Sequence, residues 1–503
     1  MVRRATTLAV VLALAVVAGC TSAGDDEATP APRPGSTVAA TVPPVERTAS
    51  PSAEPKPRDD RPNIVLITTD DMNQSDLRWM PKTRRLLGGA GVTVDGFISN
   101  HPLCCPARAQ IFTGQFAHNN RVHDNEYSRF GGYKRLADPG QHVGRWLRDA
   151  GYRTAFVGKH MNGWEFTAPR QPGWTVFDPL LTGIYAPYGI TMFGNGTPRR
   201  YEDVYTADLV GRLAVRYIKR FAARDAPFFV WVSQMPPHGM FVDDRWTLPV
   251  PARRHEGRYA DAVPPSLSHP AFNEADISDK PPWMRDMGPA RAEDVTAWHR
   301  ARVESLAAVD DQVARTVAAL RETGELDNTY LFFTSDNGLM LGEHRLWNKN
   351  KPYEPNLRIP LLVRGPTLPA GARRTATYGL VDLAPTFLDL GEAEAGLVVD
   401  GRSMMGTLRA DAPSYPDYLI QAAGGDLRPP PGTVDKPWWW RGIRSSDYVY
   451  VRYEDGFEEL YDMQADPGQL TNVASLPEYA AVKRQYADRL KSLKRCAGEE
   501  CRR

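Results

Sequence analysis

The sequence is poor in cysteine, in net charge and in long apolar runs, and each shortage removes a class of protein. Five cysteines in 503 residues exclude a dense disulfide framework. A formal net charge of +1, from 61 Lys and Arg against 60 Asp and Glu, provides neither the basic stripe that nucleic acid requires nor an acidic tail. Beyond the first twenty residues no stretch is apolar enough to cross a bilayer, and no internal repeat appears. What is present is an ordinary globular composition, 42% hydrophobic and 24% charged. The length suits one large α/β unit with an appended part.

The N-terminus differs from the rest. Arg3 and Arg4 precede an apolar run, Leu8 to Val17, too short to span a bilayer well, followed by Val17-Ala18-Gly19-Cys20. This reads as an export signal, and small residues directly before a Cys resemble a bacterial lipobox. The expectation is a lipoprotein signal over 1–20, cleavage before Cys20 and a lipid anchor on it. The protein would then sit on the cell membrane, facing outside the cytoplasm. Residues 21–61 are rich in Pro, Ala, Ser and Thr and cannot bury enough surface to fold; they read as a disordered, semi-extended linker. Cys496 and Cys501 would close a short loop and could pair in an oxidising compartment. That leaves the adjacent Cys104-Cys105.

From Pro62 the pattern alternates. Continuous apolar runs suited to strands buried on both faces (63–69, 154–157, 228–232, 328–334) are separated by helical segments at 80–91, 141–150, 204–223 and 296–323. A shorter helix-like segment covers 109–113. Residues 243–282 are Pro-rich and polar, an excursion flanking the site. This is an α/β fold with a large, mostly parallel sheet flanked by helices, over residues 62–390. After about Leu390 the pattern weakens. A strand at 448–453 and a closing helix at 479–494 predict a smaller C-terminal α+β subdomain over 391–503.

Two predicted strands far apart in sequence end in paired oxygen ligands, Asp70-Asp71 and Asp336-Asn337. In open α/β sheets ligands bind outside the carboxyl ends of strands, and four such side chains suit a hard cation such as calcium. Asp and Asn also serve as caps and turn formers. In Leu103-Cys104-Cys105-Pro106-Ala107-Arg108, a Pro in the first helical turn places a thiol at a helix N-terminus. That position favours an anion and lowers a thiol pKa, and Arg108 adds an anion-stabilising group. The residues alone read either as a reactive cysteine in an anion pocket or as two buried structural cysteines beside a helix cap.

Cys104-x-Pro106-x-Arg108 followed by Thr113-Gly114 resembles the signature of type I sulfatases, in which the first Cys becomes formylglycine. The resemblance runs from about Pro62 to Ala474. It takes in Asp70-Asp71, Gly158-Lys159, His238, Ser335-Asp336-Asn337-Gly338, Gly342-Glu343-His344, Lys349, Asp382-Leu383-Ala384-Pro385-Thr386 and Glu459-Leu460-Tyr461-Asp462. It implies an alkaline-phosphatase-like fold. It also implies calcium bound by Asp70, Asp71, Asp336 and Asn337, with the modified Cys104 reaching the same ion. Arg108 and Lys159 would stabilise the formylglycine and the sulfate. His238 and Lys349 would contact the sulfate ester, one of them protonating the leaving oxygen. One hydroxyl of the hydrated aldehyde would attack sulfur, and the other would lose its proton to expel sulfate. A formylglycine-generating enzyme is an implied partner.

The sequence departs from the family at one point. Many sulfatases have Gly-Lys-x-His, with that His as base for sulfate release. Here the run is Gly158-Lys159-His160-Met161-Asn162, and His160 stands one position early, which on a strand would turn it to the other face and in a loop need not; the base is then the displaced His160, Asn162 or another residue in its place. A similar Gly-Lys-x-x-Asn run and a doubled Cys occur in sulfatases acting on N-acetylglucosamine-6-sulfate, which points to a sulfated glycan or small molecule as substrate. A formylglycine-dependent phosphonate or phosphodiester hydrolase, or a non-catalytic calcium- or glycan-binding surface lipoprotein, are the competing readings. His118, His123 and His344 are further candidates near the pocket. Trp438-Trp439-Trp440 reads either as a sugar platform or as an interface, and Cys105 as a packing residue.

Overall fold

The computed structural model describes residues 59–125, 130–167, 169–242, 245–410, 417–422 and 438–503. The expected signal segment and nearly all of the linker lie outside them. A ten-stranded sheet organises the fold. Its order is Ala372–Gly379, Val92–Ile98, Leu361–Arg364, Thr329–Ser335, Asn63–Thr69, Phe228–Ser233, Arg153–Gly158, Val176–Thr182, Ile190–Met192 and Arg199–Tyr201. From Thr329–Ser335 to Val176–Thr182 every pairing is parallel. Leu361–Arg364 and Ile190–Met192 run against both of their neighbours.

The central strand shows why the apolar runs are continuous. All seven residues of Asn63–Thr69 are buried, because each face of the sheet is covered. Ile64 and Leu66 point into one hydrophobic cluster, together with Ala107, Ile111 and Phe112 of the Cys104–Thr113 helix. Val65 and Ile67 point into a second, built with the helices Thr206–Ala222 and Ala292–Glu322. The strand's two-residue period makes this division. Each fully buried Ile, Leu or Phe contributes about 1.5–3 kcal/mol, so both layers clamp the strand ends that carry the site.

Several boundaries differ from the sequence reading. The helix expected at 109–113 spans Cys104–Thr113, and all ten residues are buried; a helix apolar or buried all round shows no amphipathic period to detect. Pro106 is therefore inside the first turn and Cys104 is its first residue. The strands Val92–Ile98, Leu361–Arg364 and Ala372–Gly379 were not expected. Two are broken by exposed or half-exposed polar residues, such as Thr93, Asp95 and Arg373, and the third has only four residues.

The C-terminal part forms a four-stranded antiparallel sheet, Asp417–Ala422, Trp440–Ser445, Tyr448–Tyr453 and Glu458–Asp462. The helix Ala480–Leu493 follows, and Cys496 and Cys501 form the expected disulfide. The apolar residues of this sheet join the cluster on one face of the large sheet. Its tie to the site region is polar. The buried Glu459 carboxylate accepts hydrogen bonds from Tyr353, Tyr453 and Tyr461 at 2.8, 2.7 and 2.7 Å, and Tyr353 lies four residues after Lys349.

Candidate active site

Register brings the two oxygen pairs together. Thr69 lies opposite Ser335 on adjacent parallel strands, so Asp70-Asp71 and Asp336-Asn337 leave the same sheet edge side by side. Asp71 takes a left-handed backbone, φ 66°, which Asp tolerates better than most residues. All four are buried. Asn337 Nδ2 donates to Asp71 Oδ1 at 2.6 Å, and Asp336 Oδ1 accepts from the backbone N–H groups of Asp71 and Asn337 at 3.2 and 2.8 Å.

The Cys104–Thr113 helix delivers two more groups, one turn apart on one face. The Cys104 Sγ–H faces Asp70 Oδ1 at 3.4 Å. Arg108 is 1% exposed and spends its guanidinium on four acceptors. Nε donates to Asp336 Oδ2 at 3.0 Å and Nη2 to Asp70 Oδ2 at 3.2 Å. Nη1 donates to Ser233 Oγ at 2.6 Å and to the Lys159 carbonyl at 2.8 Å.

Lys159 follows the Arg153–Gly158 strand, and its backbone N–H still pairs with the Ser233 carbonyl at 2.9 Å. Gly158, φ 108°, permits that approach: a Cβ there would lie 1.9 Å from the Ser233 oxygen, so no other residue fits. The Lys159 ammonium pairs with Asp70. His238 comes from the segment after Phe228–Ser233, with Nε2 3.5 Å from Asp71 Oδ2. Lys349 arrives from the loop after Trp347–Asn348, placing Nζ 2.6 Å from Asp71 Oδ1 and 2.9 Å from Cys104 Sγ. Asp70, Asp71, Cys104, Arg108, Lys159, His238, Asp336, Asn337 and Lys349, the residues that the family signature implies, thus meet at one place.

The electrostatics correct one expectation. The Cys104 thiol is not acidified. Burial, with the Asp70 carboxylate beside it, pushes it up to about 12, against the pull of Lys159 and Lys349. At neutral pH it is a protonated thiol, a poor nucleophile. Burial and Asp70 raise Asp336 to about 6. Burial lowers His238 to about 4, although Asp71 opposes it. Its Nδ1 lies 2.6 Å from the Gly239 carbonyl, so the neutral ring keeps its proton there and turns Nε2 toward Asp71.

The donor set fits a hard cation. Ligand atoms of Asp70, Asp71, Cys104 and His238 lie within 4.8 Å of one another, and the buried Asn337 Oδ1 has no hydrogen-bond partner among the described residues. An unpaired buried amide oxygen beside clustered carboxylates is costly unless positive charge satisfies it. Asp336 stands outside the tightest group. His238 stands within it, although the sequence reading gave it no part in holding metal.

The displaced His160 points away from the site. It lies 5.0 Å from Phe156 and 5.1 Å from Phe112, ring to ring, and its Nε2 meets Gln171 at 3.2 Å. Burial lowers it to about 3. Asn162 instead reaches the site, donating to the Tyr185 hydroxyl at 3.1 Å. The Tyr185 ring lies 4.8 Å from Lys159 Nζ and 4.9 Å from the His238 ring. Tyr185 and Ser233 were missed because each is a common residue type in a segment with no signature of its own.

The remaining candidates have structural partners. His118 Nε2 meets the Cys496 carbonyl at 2.8 Å. His123 packs on Trp438 at 4.6 Å. His344 pairs with Glu274 at 2.6 Å and stacks on Tyr353. Trp439 packs on Trp283, and Trp440 donates to the Asn350 carbonyl at 3.2 Å. Cys105 is fully buried.

Buried carboxylates at parallel strand ends, ringed by Arg108, Lys159 and Lys349, make a site suited to binding an anionic ester. Residues 62–393 match the family model described as sulfatase, and 342–496 that described as N-sulphoglucosamine sulphohydrolase, C-terminal. The chain belongs to the sulfatase family and is a sulfuric ester hydrolase. It is 32% identical over 495 residues to an arylsulfatase of Volvox carteri, covering 88% of this chain and 76% of that protein. With human N-acetylglucosamine-6-sulfatase it shares 28% over 493 residues, covering 88% and 86%. A solved structure in complex with its substrate D-glucosamine-2-N,6-O-disulfate superposes with a TM-score of 0.70 at 23% identity, covering 86% of this chain and 97% of that one. The alkaline-phosphatase-like architecture expected from the resemblance is the one observed.

Proposed function

We propose that this sulfatase removes sulfate from a glycan, N-acetylglucosamine-6-sulfate or a close relative, using formylglycine made from Cys104 and a calcium ion held by Asp70, Asp71, Asp336 and Asn337. The observation that carries the proposal is the meeting of Arg108, Lys159, His238 and Lys349 on the Asp70-Asp71 carboxylates within reach of Cys104. The human and other N-acetylglucosamine-6-sulfatases among its relatives support the substrate class. The aldehyde hydrate would supply a nucleophilic hydroxyl, and the cation positive charge for the sulfate oxygens.

The protein's own side chains do the rest. Arg108 cannot move, since its four acceptors fix it; it holds Asp70 and Asp336 in place and keeps positive potential under residue 104. Lys159 and Lys349 offer fixed ammonium groups to an anion that gains charge in the transition state. Lys349, already within hydrogen-bond distance of Sγ, is the proton donor nearest to the nucleophile. A proton gained at His238 Nε2 is the alternative one for the leaving oxygen. Asn162 is an amide, so it orients and does not abstract. Its buried Oδ1 has no partner among the described residues and is free to accept a proton-bearing hydroxyl.

Asn162→Ala is accordingly expected to lower kcat by about 10²-fold through lost orientation. His160→Ala should cost about 2–3 kcal/mol of stability as a core truncation while kcat of the folded enzyme stays close to the parent. Steady-state kinetics paired with melting curves separates the two, and a collapse of kcat in His160→Ala would return the base to that residue. The substrate proposal is tested on sulfated monosaccharides, 4-nitrophenyl sulfate, and phosphonate and phosphodiester analogues. Preference for the 6-sulfated amino sugar is expected; faster turnover of a phosphonate monoester would replace the reading with the rival hydrolase. The lipid anchor at Cys20, the extracytoplasmic location and the formylglycine-generating enzyme as partner belong to the same proposal. They rest on the Val17-Ala18-Gly19-Cys20 run and on the cysteine signature.

A further inference from the structure

Outside the active site one groove on the described surface has a strongly one-sided charge. It lies between the turn Gln74–Trp79, the π-helical turn Arg84–Gly88 and the strands Val92–Ile98 and Ala372–Gly379, and has a volume of about 770 Å³. Arg78, Arg84, Arg85 and Arg373 line it, and all four are exposed. Asp95 is the one acidic residue among those lining it, and it pairs with Arg373 at 2.5 and 3.0 Å. The lining therefore carries an excess of three positive charges on a chain whose total is +1.

The local backbone explains the concentration. The helix here widens to a π-turn, with the Gly89 N–H donating to the Arg84 carbonyl at 2.7 Å, and the adjacent Arg84 and Arg85 both face solvent. Such widened turns are enriched at functional positions. The Arg78 guanidinium lies over the Trp79 ring, 5.2 Å from its centroid. One end of the groove reaches Gln74. The preceding Asn73 shares Arg302 with the active centre: Arg302 Nη2 donates to Asn73 Oδ1 at 2.9 Å and to the Asp71 carbonyl at 2.7 Å.

We propose that this groove is a second binding site, for a polyanionic sulfated glycan chain. Guanidinium groups pair with sulfate and carboxylate through two parallel N–H···O bonds, and repeated anionic groups along one chain would meet several arginines in turn. A concave trough takes a narrow polymer better than a flat bilayer face. The site would hold a polymer on the enzyme between cleavages and raise the local concentration of its sulfate esters. The choice of ligand rests on the glycan reading of the active site; the existence of an anion site does not.

The test uses the full chain as Cys104→Ala, which removes turnover, with saturating N-acetylglucosamine-6-sulfate to occupy the active site. The probe is a fluorescent, heparin-derived dodecasaccharide followed by anisotropy. Arg84→Glu/Arg85→Glu should weaken its binding by about tenfold or more and flatten the salt dependence, with circular dichroism and melting temperature as in the parent. If that double variant does not fold, Arg85→Ala should still weaken binding severalfold. Affinity within twofold of the parent in a folded variant overturns the proposal. So does unchanged dodecasaccharide affinity accompanied by lost binding to phosphatidylglycerol vesicles, which would make the groove a membrane contact. Because the readout is binding without catalysis, failure here is distinct from failure of the sulfatase panel to show glycan turnover.

Discussion

Replacing Cys104 with Ala lowers kcat/KM on 4-nitrophenyl sulfate by about 10⁴-fold or more, the loss seen when an enzyme loses its covalent nucleophile. Calcium content, measured on the purified protein by elemental analysis, is expected to stay near the parent value, because the carboxylates and the Asn337 amide proposed to hold the ion are untouched. The two readouts together make the expectation specific. A variant that lost both would show that residue 104 organises the site instead of reacting in it. Near-full turnover would sink the mechanism outright. The chemical state of the native residue can be read independently: the peptide carrying position 104 should contain an aldehyde and little thiol. The surroundings argue for this outcome. A thiol buried against Asp70 and pushed up to about 12 is almost wholly protonated at neutral pH. The same pocket, with Lys349 2.9 Å away, is well arranged for a hydroxyl. It is a poor setting for Cys104 as a thiolate.

Much of this site was legible because it is carried by strand ends. Asn63–Thr69 and Thr329–Ser335 are buried on both faces, so they read as unbroken apolar runs, and whatever polar pair ends them stands at the sheet's carboxyl edge. The alternation of a strand also explains His160. Lys159 continues the pairing of its strand through its backbone bond to Ser233 and faces the carboxylates; the next side chain must face the other way, into the cluster of Phe112 and Phe156. The residue count in the signature foresaw the slip, and only packing could show where the imidazole goes. Other features had no local signal. Tyr185 touches Lys159 and His238 from a turn whose sequence is unremarkable among turns. Ser233 is the last residue of an apolar strand. Pro106 marked the helix start near Cys104, but the extent of the helix was hidden because a helix buried on all sides has no polar face to set its period. The Cys thiol was misjudged for a related reason: a helix N-terminus favours an anion, but full desolvation and a neighbouring carboxylate outweigh it.

Arg108→Ala should be the most destabilising single change in the site, by about 3–5 kcal/mol. The guanidinium is 1% exposed and is bonded to Asp70, Asp336, Ser233 and the Lys159 carbonyl. Its removal strands two wholly buried carboxylates and leaves a void the size of the side chain. Urea denaturation in chelator should show the loss as a lower midpoint. Calcium should then recover more stability in Arg108→Ala than in the parent, because the variant's carboxylates have lost a cation that the ion can partly replace, and stabilisation by a ligand that binds only the folded state follows its affinity. Arg108→Lys separates charge from shape. A single ammonium can neutralise one carboxylate but cannot span four acceptors in a plane, so part of the stability should return while kcat stays low. A midpoint equal to the parent in Arg108→Ala would mean that Asp70 and Asp336 are already balanced by Lys159 and Lys349, and that Arg108 acts on the substrate alone. The geometry argues the reverse: none of its donors points to open space, so its effect on sulfate passes through the carboxylates it holds.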